Sequence, residues 1–158
     1  MKNEFVNTEN WDKLFDKFIE VRHKVVDDLN DYLINFFKSS FDTKSFNGTQ
    51  WKQSGMNPNT LVDTGTLKNS IKTVSKSPDM IHITSDTPYS AIHNEGGIIK
   101  ITDKMRSFFW SQYYKTNNDE WKYMAISNRK YIVIPKREFI GMPDNLSQTI
   151  ADIIKKYI

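Results

Sequence analysis

Residues 11–38 read WDKLFDKFIEVRHKVVDDLNDYLINFFK, and the spacing of their apolar side chains decides the fold. Trp11, Leu14, Phe15, Phe18, Val25, Leu29, Tyr32, Leu33 and Phe36 recur at intervals of three, four and seven, which marks one face of a long amphipathic helix. Asn10 fits the N-cap, Asp12 suits the first turn, and Ser39-Ser40 closes the pattern. At 1.5 Å per residue such a helix is roughly 40 Å long, about as wide as a whole domain of this size. The spacing therefore predicts a helix that runs along an edge or projects.

The next stretch changes character. Residues 41–60, FDTKSFNGTQWKQSGMNPNT, hold Asn47-Gly48 and Asn57-Pro58 and show no periodicity, which reads as a flexible loop anchored by Phe46 and Trp51. Thr64-Gly65-Thr66 then opens a short helix with Leu67 and Ile71 on one side, and Thr66 is placed to cap it. Two antiparallel strands are expected at 71–76 and 80–84, where Ile81 and Ile83 alternate with His82 and Thr84. A turn or short helix at 89–93 ends at Gly96-Gly97, and a strand follows from Ile98 to Ile101. Residues 103–114 group Met105, Phe108, Phe109 and Tyr113 on one helical face. A polar loop, Lys115 to Glu120, leads to a poorly patterned stretch and then to a strand, Tyr131 to Ile134, stopped by Pro135. Pro143 or Asp144 opens a last helix with Leu146, Ile150, Ile153, Ile154 and Tyr157 on its apolar face. Long helix, small antiparallel sheet with short helices, C-terminal helix: the class is α+β.

With 158 residues, 38% apolar and 13% aromatic, the chain suits one folded domain, 1–158, and not a disordered one. It has no cysteine, so disulfides, thiolate metal sites and thiol nucleophiles are excluded. No apolar run reaches membrane-spanning length and MKNEFVNTEN has no signal-peptide core, so a soluble protein made in the cytoplasm is expected. Residues 1–50 carry 7 Lys/Arg against 9 Asp/Glu, while the remainder carries 15 against 10. That polarity suits an acidic partner surface or a position near packaged DNA, without the dense basic stripe of a dedicated nucleic-acid binder.

No constellation carries convincing chemistry. His93-Asn94-Glu95 looks like half of a metal or acid–base site, but the helical zinc signature needs a second His where Gly97 stands. A His beside a Gly-Gly turn is more often a structural hydrogen-bonder. Phosphate-binding glycine loops and nucleophile elbows are absent. Residues 104–131 interleave Phe108, Phe109, Trp110, Tyr113, Tyr114, Trp121, Tyr123 and Tyr131 with Lys104, Arg106, Lys115, Lys122, Arg129 and Lys130. Core is the first expectation for these aromatics, a protein interface the second, and base stacking the third.

Four stretches, in order, carry a resemblance: Phe46-x-Gly48 with Trp51; Leu61-x-x-Thr64-Gly65-x-Leu67-x-x-Ser70-Ile71; Tyr89-Ser90-Ala91-Ile92-His93-Asn94-Glu95-Gly96-Gly97; and Ile134-Pro135-x-Arg137-x-Phe139-Ile140-Gly141. The chain resembles the phage virion morphogenesis family, the tail-completion proteins of long-tailed phages. It departs from the family pattern in Glu138, where a second proline is usual, and in Ser90, where alanine usually follows the tyrosine. Residues 104–131 look like an elaboration of this lineage.

The resemblance implies a structural virion protein with no catalytic residue, cofactor or metal. It implies a ring at the neck or tail end, sixfold by preference and twelvefold otherwise, touching neck, portal-connector or tail-tube proteins. The residues it singles out for structure and assembly are Trp51, Gly65, Leu67, Tyr89, His93, Gly96, Gly97, Pro135, Arg137, Phe139 and Gly141. Gly65, Gly97 and Gly141 suit backbone angles that other residues resist, and Arg137 offers a fork of donors for carboxylates or helix-end carbonyls. The alternative from another class is a nucleic-acid binder built on 104–131, or a small nuclease using His93 and Glu95.

Overall fold

A computed structural model describes residues 9–53 and 61–158. Helix α1 spans Glu9–Thr43, roughly 52 Å at 1.5 Å per residue. Asn10 is already helical and is not the cap. Ser39 and Ser40 do not stop the helix, because their hydroxyls donate back to the Phe36 carbonyl at 2.8 and 3.3 Å. The buried stripe continues through Phe37, Ser40 and Phe41, and the helix ends before Lys44, whose φ is 52°.

The stretch expected as a loop contains a hairpin. Strands β1 (Ser45–Phe46) and β2 (Thr49–Gln50) pair antiparallel across Asn47-Gly48. Those two residues have φ of 47° and 76°, the positive pair that a two-residue turn between twisted strands requires. Over 41–50 the expectation of a loop without regular structure is therefore corrected, residues 51–53 are irregular, and 54–60 lie outside the described residues.

Helix α2 (Thr66–Asn69) starts from Gly65 at φ 71° without a side-chain cap. Thr66 is thus not the cap; its hydroxyl pairs with that of Thr64 at 2.7 Å. Strands β3 (Ile71–Ser77) and β4 (Met80–Ser85) form a hairpin whose register slips between Thr73 and Ser75, pushing Val74 out of the ladder. Helix α3 (Ser90–Glu95) leads into β5 (Gly97–Lys100). Helix α4 (Asp103–Thr116) is capped by Thr102, whose side chain accepts from the Met105 amide. The expected polar loop after it shrinks to Asn117-Asn118, and helix α5 (Asp119–Ile126) fills the stretch that showed no pattern. Strand β6 (Tyr131–Ile134) stops before Pro135, and helix α6 (Leu146–Lys155) closes the chain, starting just after the expected Pro143 or Asp144.

The class is α+β, with three separate antiparallel pairs, β1–β2, β3–β4 and β5–β6, in place of a single sheet. Two apolar clusters hold it together. Phe37, Phe41, Phe46, Trp51, Leu67, Ile71 and Phe139 make the larger one, dominated by aromatics that each bury a large area. Ile101, Phe109 and Ala125, with Trp110 and Trp121 against them, make the second between α4, α5 and β6. From Arg22 onward α1 is pinned along this body. Arg22 pairs with Asp79, Asp27 with Lys76, Asp28 with Tyr157 and Lys156, and Tyr32 with Asn145. Residues 10–20 of the same helix are exposed on every side. Among the described residues no helix is long and apolar enough to cross a membrane.

Candidate functional site

The first and third motif stretches, far apart in the chain, meet on the fourth, Ile134 to Gly141, and the second joins them in the larger core through Leu67 and Ile71. Trp51 donates through Nε1 to the Glu138 carbonyl at 2.7 Å. The Arg137 Nε donates to the Lys52 carbonyl at 2.8 Å, and the Arg137 amide donates to the His93 carbonyl at 2.9 Å. Asn94 accepts through Oδ1 from the Phe139 and Ile140 amides at 2.9 and 3.0 Å, and donates through Nδ2 to the Ile140 carbonyl at 3.0 Å. Phe139 is fully buried, with its ring 5.1 Å from that of Phe41. Asn47 reaches the same region, donating to the Met142 carbonyl and to Asp144 at 2.9 Å.

The singled-out glycines divide by physical reason. Gly96 has φ 76°, and a Cβ there would meet the Lys136 amide nitrogen at 2.7 Å, so neither the angle nor the space admits a side chain. Gly65 is held by its angle alone. Gly97 and Gly141 have no positive φ, which corrects the expectation for them. Space limits both, since a Cβ on Gly97 would press on the Ile92 side chain and one on Gly141 on Glu138 and Phe46.

Of the expected residues, Trp51, Leu67 and Phe139 share the larger core. Gly65, Leu67, Tyr89, His93, Pro135 and Arg137 line one cleft of about 920 Å³. Its other wall comes from the second cluster, with Ile101, Phe109, Trp121 and Ile132. Arg137 is 4% exposed, and burial lowers its pKa from the ordinary arginine value; a guanidinium nonetheless stays charged in proteins. It holds a loop carbonyl, and among the described residues it forms no ion pair.

Sequence reasoning missed Asn94, quoted within a motif but given no task. It also missed Phe41 and Lys52, whose parts depend on packing and on a backbone carbonyl. The aromatic segment divides much as composition allows. Phe109 is buried and Trp110 and Trp121 pack on it, whereas Phe108, Tyr114, Tyr123 and Tyr131 are exposed. Arg106 is structural, donating to the carbonyls of Ala125, Ser127 and Arg129.

His93 has a buried Nδ1 with no hydrogen-bond partner among the described residues, and its ring stands edge-on to Tyr89 at 5.9 Å. Burial first, and the Arg137 charge second, lower its pKa from the ordinary 6.5. The unfolded chain therefore takes up a proton at a pH where the folded chain does not, and stability depends on pH through that difference. Stability should be full above about pH 6.5 and fall as pH drops from there through the lowered folded value. Thermal unfolding between pH 7.5 and 5 should show the decline, and His93→Gln should flatten it; an unchanged slope would remove His93 as the cause. Glu95 is exposed, and among the described residues no three His, Asp or Glu side chains gather to hold a metal.

The model of one family, described as the phage virion morphogenesis family, matches residues 39–158. No match is found among curated proteins or among solved structures. The matched range holds all four motif stretches, and over that range the chain belongs to the phage virion morphogenesis family.

Proposed function

We propose that this chain is a structural, non-enzymatic protein of the phage neck or tail end. Its copies close into a ring that completes the tail, joins it to the head, or does both. The family match supports the virion role. The observation that carries the ring is the presence of two unlike apolar surfaces on one molecule. One is the outer half of α1, with Trp11, Leu14, Phe15, Phe18 and Ile19 exposed; the other is the β5–β6 face and its neighbours, with Ile98, Phe108, Tyr131 and Val133 exposed. Apolar patches of this kind on a folded protein mark contact surfaces. Two different patches suit a head-to-tail contact, which closes into a ring when its rotation permits. Sixfold symmetry is favoured, with neck, portal-connector or tail-tube proteins above and below.

A phage lacking this gene should make DNA-filled heads and tails that fail to join, or unstable tails. Normal infectious particles from a clean deletion would overturn the proposal. Exposed Tyr114 and Tyr123 favour the nucleic-acid reading to one degree only, as stacking platforms. That reading requires DNA affinity that falls steeply with salt.

A further inference from the structure

Residues 10–20 of α1 are exposed on every side, yet they are not a polar spacer. Trp11 is 51% exposed, Phe15 61% and Phe18 66%, on the side that packs Leu33 and Phe36 against the core further along. At about 100° per residue, Asp12 and Asp16 follow one border of this stripe and Lys17 lies nearer the other, while Lys13 and Glu20 fall on the opposite side. Glu20 is paired with Lys24. Among the described residues Asp12 and Asp16 form no ion pair.

The cleft has the opposite character and no α1 residue lines it. Its apolar wall includes Leu67, Ile101, Phe109 and Trp121, and its charged members are Lys52, Arg129 and Arg137 against the single acid Asp63. Arg137 is the decisive one. A guanidinium this buried is expensive to leave without a counter-charge, and bidentate pairing with a carboxylate is what its fork of donors suits best. Among the described residues its one recorded side-chain partner is the Lys52 carbonyl, on Nε. The surface that would complement it is a carboxylate carried beside apolar side chains, and α1 presents that combination at Asp12 and Asp16.

We propose that the outer half of α1 of one copy lies in the cleft of the next copy. The Trp11–Phe18 stripe covers the apolar wall, and Asp12 or Asp16 pairs with Arg137. The inference rests on the ring reading and assigns its two faces. The stripe and the cleft lie on different parts of the molecule, so each copy both gives a helix and receives one, which is the head-to-tail contact a ring requires. A cleft of about 920 Å³ is at the upper end of the size that encloses a ligand of several rings, enough to take aromatic side chains from one helix face.

The chain has no cysteine, so introduced pairs report cleanly. Virions assembled with a chain carrying both Asp12→Cys and Arg129→Cys should, on oxidation, yield a ladder of covalent multimers ending at the ring number; either change alone should yield none. A Phe15→Ser, Phe18→Ser double variant should assemble at least about a hundredfold less well, as loss of two interface aromatics implies, while the free chain melts at the unaltered temperature because both side chains are exposed. Reversal of the rim by Lys52→Glu with Arg129→Glu should do the same, and mixing those chains with Asp12→Lys, Asp16→Lys chains should restore association. If several copies are present per neck but no ladder forms and the double serine variant assembles normally, the docking is wrong and the ring survives. If each neck holds one copy, the ring itself fails and the docking with it.

Discussion

Replacing Phe139 by alanine is expected to lower the unfolding free energy by about 3–5 kcal/mol, the range for deleting a fully enclosed aromatic ring. Phe139 has no exposed surface, and it packs among Phe41, Trp51 and Leu67 in the larger core. The cavity has little chance to close. The backbone on either side of Phe139 is fixed, by Trp51 at Glu138 and by Asn94 at Phe139 and Ile140. Urea unfolding should show the midpoint falling with the slope retained, as a change in stability without a change in compactness requires. A loss below about 1 kcal/mol would mean that the site relaxes, and the account of a rigid core around this segment would be wrong.

Asn94→Ala should be the second most damaging single change. It strands the Phe139 and Ile140 amides and the Ile140 carbonyl at once. Each part-buried group left without a partner costs about 1–3 kcal/mol, so a total loss of about 3 kcal/mol or more is expected. Asn94→Asp keeps an acceptor for both amides and loses only the donor, so it should fall between wild type and alanine. Equal losses for the two variants, measured by the same unfolding experiment, would show that the two amide bonds contribute little.

Much of the architecture was legible because burial writes periodicity. The α1 stripe, the alternation in β4 and the apolar run of β6 each follow from one face meeting a core. Where the structure departs, the cause is specific. Ser39 and Ser40 read as a stop, but a serine inside a helix can spend its hydroxyl on the preceding turn, and these two do. Asn47-Gly48 was visible, yet its flanks, Ser45-Phe46 and Thr49-Gln50, are too short and too polar to show strand alternation. Helix α5 was hidden because it packs against α4 through Trp121, Met124 and Ala125 and leaves Tyr123 and Ile126 exposed, so its apolar residues fall on more than one face. Its start was nevertheless signalled by Asn118 followed by Asp119 and Glu120. At the site, bulky anchors such as Trp51 and Phe139 could be named from their motifs. Asn94 could not, since its task is defined by backbone groups 45 and 46 residues away.

The β5–β6 ladder aligns Gly97 with Ile134 and Lys100 with Tyr131, and the Ile101 amide extends it to the Lys130 carbonyl. The α4–α5 pair therefore leaves and re-enters the body at adjacent rungs, about 5 Å apart. Such a segment behaves as an interchangeable cassette. It folds around its own small cluster, and the entropy of closing it grows only with the logarithm of its length. Excision of 101–130 with an Asn-Gly turn in its place should leave the larger aromatic core standing. In evolution this is where length and chemistry can drift without disturbing the knot around Ile134–Gly141, so host- or partner-specific variation has a place to accumulate at little structural risk.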